Sequence, residues 1–253
     1  MKATYVTPAE RISDYVQSIL VIENYQGVDP FILPLFANGT PTLLFHTQKG
    51  QIKDRSGYLT LFGQTVLPDK LLIKDSFTLI AYYLVPYSLR PLFGIAVNEM
   101  TNNPTDFNLL CNHSDLQEQL LNATGTAQML SLLDDYLFGL ITKANQVEPR
   151  TKYATKTIAL KPGKDVLGAV QKELCLTERS FQRIFEKNTG VSPNQFRRIS
   201  QFHNAFRQLN KQQFHNLSDL AFDNGYSDQS HYIRTFKEFT HITPTEYLQL
   251  RNV

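Results

Sequence analysis

Two clusters of side chains in the last third of this 253-residue sequence carry the same kind of chemistry. Arg179, Gln182 and Arg183 form one, with Glu178 beside them; Gln229, Ser230 and Arg234 form the other, with Ile233 beside them. Arginine can offer paired donors to guanine, glutamine can bond adenine, serine can meet several bases, and isoleucine can touch a thymine methyl. These are groove-reading side chains when they share the outward face of a helix. Nearby, Lys187, Arg197, Arg198, His231 and Lys237 and the hydroxyls of Ser192 and Thr243 suit phosphate contacts, which position without specifying sequence. A single outward arginine is ordinarily just solvated. His231 has no partner His or Cys at zinc spacing, so it reads as a groove-edge or phosphate contact and no metal site is expected there.

What raises these residues above solvated surface is a repeat. Shifting the chain by 51 residues lays Thr177–Phe196 (TERSFQRIFEKNTGVSPNQF) on Asp228–Tyr247 (DQSHYIRTFKEFTHITPTEY) without a gap. Phe181 meets Tyr232, Arg183 meets Arg234, Phe185 meets Phe236, Thr189 meets Thr240, Pro193 meets Pro244 and Phe196 meets Tyr247. So dense a match marks two copies of one unit.

Each copy reads as helix, turn, helix. In the second, Asn216 is placed to cap a helix bearing Leu217, Leu220 and Ala221. Gly225 gives the turn its freedom, and Asp228 caps a helix whose Tyr232, Phe236 and Phe239 recur at four and three. In the first, Val166, Ala169, Val170 and Leu174 build the leading helix. Thr177 takes the capping role, and Phe181, Ile184 and Phe185 form the buried stripe. Ser192-Pro193 and Thr243-Pro244 open the closing helices, a hydroxyl cap followed by proline where its missing N–H costs nothing. Between the copies, Phe196, Ile199, Phe202, Phe206 and Leu209 predict one long connecting helix. The basic excess lies here too. Residues 1–160 carry 12 Lys and Arg against 14 Asp and Glu, whereas residues 161–253 carry 13 against 9. That is the polarity phosphate neutralisation needs.

Residues 1 to about 150 read differently. Short apolar or alternating runs at Val16–Glu23, Phe31–Phe36, Thr42–Thr47, Tyr58–Gln64 and Leu71–Pro86, with Asn38-Gly39, Lys49-Gly50 and Ser56-Gly57 between them, predict an antiparallel barrel or sandwich. Helical periodicity follows at Leu89–Val97, Ser114–Asn122 and Thr126–Ile141, the last with Asp134-Asp135 on its solvent side. The expected fold class is therefore α+β. A β domain with helices (1–150) and a linker (151–161) precede an all-α domain (162–253) of two helix-turn-helix units joined by a long helix. A short strand around Thr157–Leu160 is an alternative within the linker. Phe36, Phe45, Phe62, Tyr82 and Tyr83 are candidates to line an apolar ligand pocket, although such a stripe also serves as core filling. Cys111-Asn112-His113 is a fragment that could ligate a metal, and reads more readily as incidental loop.

With 42% hydrophobic and 19% charged residues, the composition is that of a globular chain. The N-terminus has no signal-peptide pattern, and Leu79–Val85, the longest nearly pure apolar run, is too short to cross a bilayer. Two cysteines, Cys111 and Cys175, define no disulfide framework, which fits a reduced cytoplasmic setting. No phosphate-binding loop, dinucleotide glycine pattern, nucleophile elbow or His-Glu-x-x-His occurs, so no catalytic residue and no cofactor is expected.

The stretch Leu217–Tyr247 resembles the signature of the AraC family of transcription regulators: apolar-x-x-apolar-Ala, Gly-aromatic-Ser, Gln-Ser, aromatic, Arg, Phe-Lys, then Thr-Pro-x-x-Tyr. Including the first copy, the match spans about 90 residues. One position departs from it. The family places glycine just before the apolar-Thr-Pro step, as at Gly190, and this chain has His241. Less specifically, Leu33-Pro34 with Gly39 and Pro41, and Val85-Pro86 before Leu92-Phe93-Gly94, resemble the cupin-like sensory domain that precedes such DNA-binding parts. A metal-binding cupin would need His-x-His, and His46 stands alone. The resemblance implies double-stranded DNA gripped by two helices in successive major-groove segments, a small-molecule effector, RNA polymerase as partner, a homodimer and transcriptional activation. A regulator controlled by a protein partner through an N-terminal docking module remains the alternative. The DNA-repair methyl acceptors related to this family would need reactive cysteines in the N-terminal part, where Cys111 stands without a metal-ligand set.

Overall fold

The computed structural model describes residues 1–25, 30–110 and 114–251; the Cys111–His113 fragment lies outside them. Strands β1 (Lys2–Val6), β2 (Val16–Asn24), β3 (Phe31–Leu35), β4 (Thr42–Ile52), β5 (Arg55–Phe62), β6 (Asp69–Ile73) and β7 (Phe77–Leu84) come first. Helix α1 (Leu89–Phe93), a short 3-10 turn (Val97–Met100) and β8 (Thr105–Asp106) lead to α2 (Phe107–Leu110), α3 (Ser114–Leu121) and α4 (Thr126–Lys143). All pairings are antiparallel, in the order β1-β2-β7-β4-β5-β8, with β6 bridging β3 and β4.

Strand β4 gives the sheet its curl. Its first half, Thr42–His46, pairs with β7, while Gly50–Ile52 turns to pair with β6. A Cβ on Gly50 would lie 2.7 Å from both the His46 ring and Leu71, so the bend needs glycine. The central strands are apolar on both faces because both are covered. Ile19, Val21, Leu43, Phe45, Ile80 and Tyr82 pack with residues of α3 and α4, and Leu20, Ile22, Leu44, Leu79 and Ala81 pack on the opposite face. Edge strand β1 alternates too little for the sequence pattern to reveal it; Lys2, Ala3, Thr4 and Tyr5 are exposed.

Period-two alternation corrects part of the expected pocket. Phe45 and Tyr82 point into the helix-covered core, and the Tyr82 hydroxyl donates to Asp134 Oδ1 at 2.7 Å and to the Leu130 carbonyl at 3.3 Å. Asp134 is thus a half-buried acceptor instead of a solvated carboxylate, while exposed Asp135 pairs with Arg11 at 2.6 Å.

The expected linker is also different. Residues 149–160 form helix α5 (Pro149–Leu160), with Glu148 as N-cap and Pro149 in the first turn. Ala154 and Ile158 are buried with Val170, Phe181, Phe185, Val191 and Phe196, so α5 is part of the first unit's core. Its buried face is completed by Thr151 and Thr155, which is why hydrophobic periodicity was weak and neither a helix nor its packing was legible.

The remaining helices are α6 (Val166–Glu173), α7 (Glu178–Thr189), α8 (Pro193–Asn210), α9 (Leu217–Asp223), α10 (Gln229–Thr240) and α11 (Pro244–Arg251). Helix α8 serves both units: Phe196 joins the first core, and Ile199, Phe202, Ala205 and Leu209 join the second with Tyr232, Phe236 and Phe239. The repeat persists in hydrogen bonds. Thr189 Oγ1 donates to the carbonyls of Phe185 (2.9 Å) and Val191 (3.1 Å), and Thr240 Oγ1 to those of Phe236 (2.7 Å) and Ile242 (2.9 Å).

Both recognition-helix ends are left-handed, Gly190 at φ +82° and His241 at φ +66°. The two ends differ because only the Gly190 turn abuts the N-terminal domain. A Cβ on Gly190 would lie 2.8 Å from the Val97 carbonyl oxygen, and Thr101 Oγ1 donates to the Gly190 carbonyl at 2.9 Å. His241 is exposed and escapes the steric constraint, bearing only the backbone strain. Replacing His241 by Gly is expected to stabilise the protein by about 1 kcal/mol, whereas Gly190→Ala is expected to cost about 3 kcal/mol. Denaturant unfolding of the two variants measures the contrast, and equal effects at the two sites would contradict it.

Candidate nucleic-acid interface

The two recognition helices are set by the same local devices. Thr177 Oγ1 accepts from the Ser180 N–H at 3.3 Å, and Asp228 Oδ1 from the His231 N–H at 2.7 Å. Each satisfies an orphan amide at a helix start and fixes where the first turn begins. Phe181 and Phe185 in α7, and Tyr232 and Phe236 in α10, are buried, and this turns the opposite faces outward. Arg179, Gln182 and Arg183 are exposed on α7; Gln229, Ser230 and Arg234 are exposed on α10. Ile233 is half-buried at the margin.

The residues expected to meet phosphate fall into two groups. Lys187 and Lys237 are exposed in the last turns of their helices. The others are already engaged within the protein. Arg197 is half-buried, donating to the Pro162 carbonyl (3.3 Å), Gln201 Oε1 (3.2 Å) and Asn194 Oδ1 (3.3 Å); burial and then Arg198 lower its pKa. Arg198 pairs with Glu238 at 2.5 Å and lies 5.7 Å from the centre of the Phe239 ring. Ser192 Oγ accepts from the Gln195 N–H at 3.1 Å as a helix cap. Thr243 Oγ1 donates to Glu246 Oε2 at 2.8 Å, completing a capping box with the Thr243 N–H. His231 packs edge-on against Tyr226 and its Nδ1 lies 3.1 Å from Ser227 Oγ; desolvation is the main cause lowering its pKa.

A second feature lies between the domains. A cavity of about 870 Å³ is walled on one side by Leu20, Leu44, Phe62, Ala81 and Tyr83 of the sheet and by Phe36. On the other it is walled by His203, Phe206, Arg207, Asn210 and Lys211 of α8 and by Tyr247. Of the expected pocket residues it brings together Phe36, Phe62 and Tyr83. Thr40 also lines it, 9% exposed, and its Oγ1 has no hydrogen-bond partner among the described residues. Sequence reasoning missed the C-terminal wall, because α8's periodicity marks its core side and says nothing of what its far side faces. Ala37 packs into the second unit's core, and the Phe36 and Phe206 rings, both lining the cavity, meet edge to face with centroids 5.6 Å apart. Low dielectric, reinforced by Arg207, lowers the His203 pKa to about 4.

Comparison with known proteins bears on both parts. Residues 170–250 match the helix-turn-helix domain family, and residues 4–106 match a domain family of unknown function, DUF6597. No curated protein sequence matches the chain. Among solved structures, ToxT from Vibrio cholerae is 11% identical over 99% of each chain, with a TM-score of 0.50. ToxT bound to (E)-4-(8-methylnaphthalen-1-yl)but-3-enoic acid is 12% identical over 99% of each chain, TM-score 0.49. ToxT with a bound unsaturated fatty acid is 14% identical over 92% of this chain and 96% of its own, TM-score 0.47.

The curled antiparallel sheet domain followed by tandem helix-turn-helix units is the fold this chain shares with ToxT. Its C-terminal part, residues 170–250, belongs to the helix-turn-helix domain family. Among the described residues no helix is long and apolar enough to cross a membrane, and no group of three or more His, Cys, Asp or Glu could hold a metal ion.

The depressed His203 pKa has a definite sign. The unfolded chain takes up the proton near pH 6.5, the folded chain only near 4, so stability is lost as pH falls through that window. His203→Gln is expected to reduce proton uptake on unfolding by about one between these limits. Unfolding free energies measured across that range test it, and an unchanged slope would contradict it.

Proposed function

We propose that this protein is a cytoplasmic, sequence-specific transcription regulator that places α7 and α10 in successive major-groove segments. Arg179, Gln182, Arg183, Gln229, Ser230 and Arg234 read bases. The observation that carries this reading is the pair of equivalent, exposed polar faces on two helices whose separate cores share α8. Lys187 and Lys237 neutralise phosphate. Ser192, Arg197, Arg198, His231 and Thr243 contribute to backbone contact through the surfaces they brace. Activation through RNA polymerase and binding as a homodimer accompany this reading as family traits.

The DNA grip is modulated by a small molecule in the interdomain cavity. Its apolar sheet wall suits a hydrophobic body, while the Thr40 hydroxyl and the Arg207 and Lys211 side chains suit a polar group. Because both domains wall the cavity, occupancy changes how firmly the sheet domain holds α8.

In vitro selection with the full-length protein should enrich a defined sequence at moderate salt, and no enrichment would sink the reading. Arg183→Ala and Arg234→Ala should each cost about 1–3 kcal/mol at one base pair, while Lys187→Ala should weaken all sequences alike and reduce the salt slope by about one. Uniform weakening by the arginine variants would demote them to phosphate contacts. Thermal-shift screening of the full-length chain should find ligands whose stabilisation is lost in Ala81→Phe, which fills the cavity. Ligand shifts unaffected by that change would place the effector elsewhere.

A further inference from the structure

The second unit contains a contact that decides what Gln229 can say to a base. Ser218, the second residue of α9, donates its hydroxyl to Gln229 Oε1 at 2.8 Å. Gln229 is the first residue of α10, at the end of the recognition helix that approaches base edges. A glutamine that bonds adenine uses both ends of its amide, accepting from N6 and donating to N7. Here the acceptor end is held by Ser218 on the neighbouring helix, which leaves for a base the NH2 group, with two donors and no acceptor.

We infer that Ser218 is a specificity-determining residue. By holding the carboxamide oxygen of Gln229 it presents a donor pair to the major groove and directs this position to guanine, whose O6 and N7 are both acceptors, against adenine. The inference rests on the base-reading role proposed for Gln229. It is particular to the second unit. The caps Asp165 and Asn216, and Thr177 and Asp228, share the 51-residue offset, which puts Leu167 where Ser218 stands and Glu178 where Gln229 stands. Leucine has no donor, so the first unit cannot make this contact.

Ser218 also spans the turn of the second unit, from α9 to the start of α10, so an effect on specificity must be separated from one on folding. The experiment is a base-substitution binding scan of the selected operator with full-length wild type, Gln229→Ala, Ser218→Ala and Ser218→Thr. Gln229→Ala should lose discrimination at one base pair, and wild type should prefer guanine there. In Ser218→Ala the amide is released to rotate, and the preference for guanine over adenine should fall by about fivefold, with other positions unchanged. Ser218→Thr retains the hydroxyl and should retain the preference. A Ser218→Ala protein that weakens every sequence equally, or keeps its guanine preference, would overturn the role of Ser218 while leaving Gln229 as a base reader. A Gln229→Ala protein with uniform loss would instead remove Gln229 from the base readers, and the inference with it.

Discussion

Helix α8 must bury one long face in two separate cores, and the DNA grip depends on that sharing. Phe196 closes the first unit against Phe181 and Phe185, and three residues later Ile199 begins the second core. Side chains three and four apart lie on one stripe, so the two recognition helices are indexed against a single rigid ruler. The indexing is reinforced by buried polar contacts. Gln201 Nε2 donates to the Asn224 carbonyl at 3.0 Å, and Asn224 Nδ2 donates to Gln208 Oε1 at 2.7 Å, tying the turn of the second unit to the middle of α8. Buried amides left unpaired would be costly, so these bonds make any other orientation of the second unit unfavourable.

The same helix is where the N-terminal domain takes hold. Gly39 approaches Ile199 and Phe196, with an added Cβ falling at 3.5 and 3.6 Å, and Ala37 is buried in the second unit's core. Thr101 and Val97 meet the first unit at Gly190. The sheet domain therefore touches both units, and the cavity it shares with α8 sits inside that contact. A change there acts on the ruler itself and reaches both recognition helices together. On the proposed function, this gives the interdomain surface a route to DNA affinity without any contact between the proposed effector and DNA.

How much of this was legible in the sequence follows from what each element must bury. The tandem units were plain because Phe181, Phe185, Tyr232 and Phe236 repeat at helical spacing between recognisable caps, and local chemistry alone sets them. His241 stands where the resembled pattern has glycine, and its backbone takes the left-handed conformation that glycine favours, φ +66°. Helix α5 was hidden because threonines fill much of its buried face. Phe45 and Tyr82 were indistinguishable from Phe62 and Tyr83 as aromatic residues in strands, since only sheet register assigns them to opposite faces. The C-terminal wall of the cavity depends on long-range packing, where residues about 120 or more positions apart meet, and no local pattern encodes that.

Two copies of one fold need not read DNA in the same way. The positions that match are Glu178 with Gln229, Arg179 with Ser230, Gln182 with Ile233 and Arg183 with Arg234. The packing side of each helix is constrained by the shared architecture and kept its types, while the outward side diverged freely. The first face is rich in long hydrogen-bonding groups. The second has one arginine, a glutamine and a serine at its start, and an apolar residue suited to a thymine methyl. Only the common arginine asks the same question of both segments. On the proposed reading the operator is therefore two unlike segments one turn apart, an asymmetric site that would fix the direction in which a single copy lies on DNA.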